Sequence, residues 1–296
     1  MRSPICLLED HIAGVAFSIA PEKADRCKES SDKHGIYIEL IDDNDFSIRV
    51  RMDNATIILP ISSLEYLWAF SLYCWVLTQE YANGQRTGFK QIDCVGNDRL
   101  RSAHTLLEWS SKNIQGTGRD IWPEGLPAPA KEPKDCSDIH VANELFLCSL
   151  GWMVHHEIGH IVLQHPALVT NFSEQEEKEA DRHATNWLLS ELDDNSPVLK
   201  KRALGIAVGV LCLQSLEVKS KSCLRNTHPN AHDRIFDCLS KYTVGTEEII
   251  EAFCTVILQY LFHAENIQTD INNDSFCEVF HGVLLEISRS KNGFSL

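Results

Sequence analysis

The stretch HHEIGHIVLQH, His155 to His165, sets four histidines and one glutamate on what the pattern predicts as a single helix. At 100° per residue, His156 and His160 stand about 40° apart around the axis, with Glu157 about 60° from His160 on the same side. Two imidazoles at i and i+4 can fill two tetrahedral positions on a zinc ion. The H-E-x-x-H spacing leaves the glutamate able to act on a water as general base without becoming a ligand. His155 and His165 project about 140° away from His160 in opposite directions, so the spacing selects its own pair. Gly159 removes a side chain where substrate or another backbone can approach. The competing explanation is two histidines packed in a helical interface.

A third ligand separates these explanations. In SEQEEKEADRHATNWLL the E-x-x-x-D spacing puts Glu177 and Asp181 on one face of the next helix. Glu177 can supply the third ligand while Asp181 accepts the remaining imidazole N–H of a ligating histidine and fixes its tautomer. Ala180 and Ala184 are small enough for the two helices to pack closely. Glu174, Glu176 and Glu179 read as a solvated acidic turn at the positive end of the helix dipole, and His183 reads as a bystander. Further on, LRNTHPNAHDRIF offers His228 at a helix entrance, where Pro229 suits the first helical position. His228 is either an electrophilic donor to an oxyanion or part of a capping turn, and Arg234 either pairs with a site carboxylate or is a surface arginine.

Around these motifs, 296 residues with 44% hydrophobic content can bury a sizeable core. A net charge of −15 argues against nucleic acid as a partner, because phosphate binding needs clustered Lys and Arg. No stretch reaches bilayer length; the most apolar, Ala203 to Leu213, is compatible with peripheral membrane association at most. The apolar run at the N-terminus stops at Leu8, too short for a signal-peptide core. Eleven scattered cysteines with no C-x-x-C pair read as reduced thiols of a cytosolic protein. Alternation of Phe46, Ile48, Val50 and Met52 with polar residues predicts a short antiparallel meander over 35–60. Helices are expected at 62–80, 97–112, 139–164, 174–191, 198–218, 229–242, 247–264 and 275–288, with Ser173 and Glu176 spaced as a capping box and a surface loop over 122–133. The expected fold class is α+β: an N-terminal β-rich part, 1–60, then a mostly helical part, 61–296, that carries the H-E-x-x-H motif.

HEIGH with a downstream E-x-x-A-D resembles the gluzincin pattern, and the later His-Pro with Arg-Ile is similar to CAAX and HtpX-type membrane proteases. MRSPIC, IAPEK, SLEYLWAFS, TQEY, HHEIGHIVLQHP, QEEKEADRHAT, LKKRALGIA, QSLEV, NTHP, IEAFC and LQYLFH resemble the Lit-type phage-exclusion peptidases, of the peptidase U49 family, from end to end of the chain. That resemblance implies a zincin-like core and one zinc ion, with His156 and His160 as ligands and Glu157 as base. Glu177 as third ligand follows from the wider gluzincin pattern. The implied substrate is translation elongation factor Tu, cut when a phage head-protein peptide binds it, so that the infected cell dies before phage is released. An extended substrate needs a strand edge, which we place at Ala55 to Leu59. Two other readings stand beside this one. The first is a regulatory gluzincin that cuts a repressor or other cellular protein. The second is an inactive, zinc-stabilised binding module, against which the presence of Glu157 speaks.

Overall fold

A computed structural model describes residues 2–43, 47–88, 91–93, 96–115, 120–166, 172–194, 196–219, 231–242 and 247–262. The chain begins with short helices, α1 (Glu9–Ala13), α2 (Val15–Ser18) and α3 (Ala24–His34), followed by strands β1 (Tyr37–Ile41), β2 (Arg49–Arg51) and β3 (Thr56–Pro60). Among the described residues, seven further helices follow: α4 (Ile61–Thr87), α5 (Asp98–Gln115), α6 (Asp138–Val162), α7 (Glu174–Leu189), α8 (Pro197–Lys219), α9 (Ala231–Leu239) and α10 (Glu247–Phe262). The α+β class and the helical predominance agree with the sequence reading. The expected helix over 275–288 lies outside the described residues.

The sheet is not an antiparallel meander. Its order is β1-β3-β2, with β1 parallel and β2 antiparallel to β3. The reason lies in β3, whose five residues are all buried. A wholly buried strand with an Ile-Ile-Leu run is most stable with its edges and faces covered, so it takes the centre, and half-buried β1 and β2 flank it. This also corrects the substrate edge placed at Ala55 to Leu59: Thr56, Ile57 and Ile58 are paired to a neighbouring strand on both sides, so β3 is the central strand and not an edge.

Helix α6 runs through the core because it is apolar nearly all round, and such a helix must be enclosed. Ser137 caps it, accepting from the backbone N–H of His140 at 3.2 Å. Trp152 is buried on it, a side chain whose enclosure contributes about 1.5–3 kcal/mol, and its Nε1 donates to Thr185 Oγ1 at 3.1 Å. Gly205 of α8 lies so close that an added Cβ would fall 2.2 Å from the Cβ of Cys148, which makes the α6–α8 contact dependent on glycine there. The 122–133 segment is irregular, as expected, but it is not purely surface: Trp122 packs against Trp68 and Trp109, and Asn143 Nδ2 donates to the carbonyl of Ala130 at 2.9 Å.

Helix α7 is held from both ends. Ser173 and Glu176 form the capping box. At the other end the buried ammonium of Lys23 donates to the carbonyls of Asn186 (2.9 Å) and Trp187 (2.6 Å) and to Ser190 Oγ (2.9 Å), a cation at the negative end of the helix dipole. Nearby, buried Arg202 binds both carboxylate oxygens of Glu22 and the carbonyl of Leu188. The hydrogen bond from Arg202 holds the Glu22 carboxyl below its ordinary range. Its contribution is therefore present above about pH 4.5 and lost as pH falls below that. Glu22→Gln is expected to cost about 1–3 kcal/mol at pH 7, with the gap to wild type narrowing at pH 3. Urea midpoints at the two pH values check this; a gap that does not change with pH would show that the carboxylate charge contributes nothing.

Candidate metal centre

Helices α6 and α7 lie side by side because both present small residues at the crossing. Ala180 and Ala184 are fully buried, and a Cβ on Gly159 would sit 3.1 Å from the Cα of Ala180. Gly159 thus serves the helix contact. The approach brings His156, His160 and Glu177 together, all buried, with one donor atom from each within 4.8 Å of the others. His156 Nε2 is 3.1 Å from His160 Nε2 and 3.3 Å from Glu177 Oε2, and His160 Nε2 is 3.8 Å from Glu177 Oε1.

These separations test whether a metal ion fits. Ligand atoms about 2.0–2.1 Å from a tetrahedral zinc lie about 3.3–3.4 Å apart, which is the scale observed. Two imidazole nitrogens and a carboxylate oxygen also match the ligand chemistry of zinc among divalent ions. The three residues can therefore hold a metal ion.

Asp181 holds the His156 ring in place. Its Oδ1 is 2.8 Å from His156 Nδ1, which turns Nε2 toward the other two donors. Arg234, on α9, braces Asp181 in turn, with Nε on Oδ2 and NH2 on Oδ1, both at 2.7 Å. The arginine is buried, so it is not a surface residue, and its Cζ lies 5.4 Å over the ring of Trp152. Burial opposes the charge on Asp181, but Arg234 and His156 overcome it and keep the carboxyl well below the usual range. Burial likewise opposes protonation of His156, yet hydrogen bonds to Asp181 and Glu177 push it up to about 10. Burial and the neighbouring His156 charge drive His160 down to about 3, so its ring is neutral and free to coordinate. A single positive charge on the His156 ring, with one N–H toward each, thus answers both carboxylates.

Glu157 sits on the same turn of α6 and is half-buried, more open than either histidine beside it. His228 lies outside the described residues. His155 belongs elsewhere: it stacks on Trp187 at 4.9 Å, and its Nε2 is 3.0 Å from the carbonyl of Ala16, tying α6 to α2. His183 likewise packs on Trp187, at 6.1 Å.

Three residues at the site escape the helical-wheel reading. His165 Nδ1 lies 2.8 Å from His160 Nδ1, His165 Nε2 lies 3.4 Å from Glu179 Oε2, and Phe172 stacks on His160 with ring centroids 3.7 Å apart. The wheel fails because the helix ends at Val162 and Gln164 is left-handed, with φ 58°. Pro166 is the signal that marks this end.

A trio able to hold a cation, with a further carboxylate on the helix of its two histidines, is the equipment of hydrolytic chemistry. The chain belongs to the peptidase U49 family, whose model matches residues 57–254, and it is a peptidase. Over 293 residues it is 48% identical to the Cell death peptidase of Escherichia coli (strain K12), a match covering 98% of this chain and 99% of that protein. No solved structure matches the chain significantly. Among the described residues, no helix is long and apolar enough to cross a membrane.

Proposed function

We propose that this protein is a zinc endopeptidase of the Lit type, which cuts translation elongation factor Tu on phage infection and so ends the infected cell's translation. The observation that carries the metal-dependent reading is the buried trio of His156, His160 and Glu177, with one donor atom from each within 4.8 Å of the others and Glu157 on the helix of the two histidines. The substrate rests on motifs shared with the Lit-type peptidases along the whole chain, and on the nearly full-length similarity to the Cell death peptidase.

Bound by His156, His160 and Glu177, zinc would supply Lewis acidity that acidifies water and polarises a carbonyl. The remaining work falls to the chain. Glu157 takes the proton of the attacking water and later passes it to the leaving amine. Asp181, locked by Arg234, keeps His156 presenting Nε2 to the site. His228 is assigned as a donor to the oxyanion that forms on the scissile carbonyl. Pairing with extended substrate falls to an outer strand of the sheet, since β3 is enclosed.

The test combines the zinc-loaded protein, GDP-bound elongation factor Tu and a phage head-protein peptide, beside a chelator control. A single cut that needs both zinc and the peptide is expected. An intact factor in the presence of zinc-loaded protein would overturn the substrate assignment. Disappearance of a different cellular protein on expression would replace it with the regulatory protease reading.

A further inference from the structure

We propose that His165 is a positioning residue for the metal centre, fixing the tautomer and ring orientation of His160 and linking it to Glu179 at the surface. This inference rests on the metal-binding role of His156, His160 and Glu177.

The geometry follows from how α6 stops. Gln164 takes the left-handed conformation, and the next two amides turn back: Gln164 N–H donates to the carbonyl of Ile161 at 3.1 Å, and His165 N–H to the carbonyl of His160 at 3.0 Å. This is a Schellman closure, which carries the residue two past the cap over the residue five before it. In such closures that contact is frequently between two apolar side chains. Here it is between two imidazoles, with Nδ1 to Nδ1 at 2.8 Å and ring centroids 5.0 Å apart. The side chain of His165 is buried, and Glu179 at its far side is partly exposed.

Donor and acceptor accounting gives the link a direction. With Nε2 of His160 committed to a cation, its proton sits on Nδ1 and must donate to His165 Nδ1. His165 then carries its own proton on Nε2, where Glu179 Oε2 is the acceptor at 3.4 Å. Glu179 is steadied by Gln175, whose Nε2 donates to Oε1 at 2.6 Å. The two histidine ligands are therefore braced by two separate relays, His156 by Asp181 and Arg234, and His160 by His165 and Glu179. Phe172 holds the flat face of His160 while His165 holds its edge.

The accounting makes Asn and Gln unequal replacements. An asparagine amide oxygen falls where His165 Nδ1 stands and can accept from His160; a glutamine amide reaches the Nε2 position and cannot. The experiment measures zinc affinity by competition with a chromophoric chelator for the full-length protein and its His165→Phe, His165→Asn and His165→Gln variants. Circular dichroism confirms that each is folded. His165→Phe and His165→Gln are expected to bind zinc about 10–100-fold more weakly than wild type, and His165→Asn within a few fold of it. A volume-filling role would give the opposite order, with Phe and Gln better than Asn. Equal affinity in all four proteins, or that reversed order, overturns the proposal alone. A wild-type protein that takes up no zinc overturns the metal reading and this inference together.

Discussion

Replacing Glu157 by glutamine is expected to lower peptide hydrolysis by about 10²–10⁴-fold while leaving zinc stoichiometry unchanged. The amide keeps the size of the side chain but cannot take a proton from water, so the loss isolates the base from the metal site. Glu157 is suited to the task by where it lies. Its neighbours His156 and His160 are buried in the cluster, whereas Glu157, one residue along α6 from His156, is half-buried. The measurement is turnover of the proposed substrate, elongation factor Tu, beside metal analysis of the same preparation. A variant that retains turnover within a few fold would remove Glu157 from the mechanism. One that loses turnover yet still blocks phage in cells would favour the binding-module reading over the peptidase one.

Arg234→Met is expected to destabilise the metal-free protein by about 3–5 kcal/mol, the cost of leaving one member of a buried ion pair without its partner. Arg234 and Asp181 are both about 5% exposed and meet through two bonds of 2.7 Å, so Asp181 has little water to turn to when the guanidinium is gone. Arg234→Lys should recover only part of the loss, because an ammonium cannot match the planar two-pronged contact. Urea unfolding of both variants and of the Asp181→Asn/Arg234→Met pair measures the effect. The pair is expected to lose less than the sum of its single changes, since the uncompensated charge disappears with Asp181. A loss below about 1 kcal/mol for Arg234→Met would show that solvent or His156 satisfies Asp181 without it.

Arg234 also illustrates where sequence reasoning stops. Pairing with a site carboxylate and exposure on the surface were equally compatible with LRNTHPNAHDRIF, because nothing in that stretch says which face of α9 meets α7. Burial against Trp152 and Asp181 decides it. The sheet is a similar case. Period-two alternation locates the strands, but a local pattern carries no information on which strand lies between the others. Here the most apolar strand takes the centre, and the chain crosses the sheet to allow it.

Spacing alone determined the chemistry within a helix. H-E-x-x-H and E-x-x-x-D place His156 with His160, and Glu177 with Asp181, because the 3.6-residue turn makes residues three and four apart neighbours wherever the helix sits. The same rule misplaced His165, since the wheel holds only while the helix lasts and α6 ends three residues earlier. What brings His165 back to His160, Asp181 to His156 and Arg234 to Asp181 is the left-handed turn at Gln164, the close α6–α7 crossing at Gly159 and Ala180, and the docking of α9. Those are contacts between segments distant in sequence or turned out of the helix. Their energies come from burial and packing, and only the tertiary structure decides them.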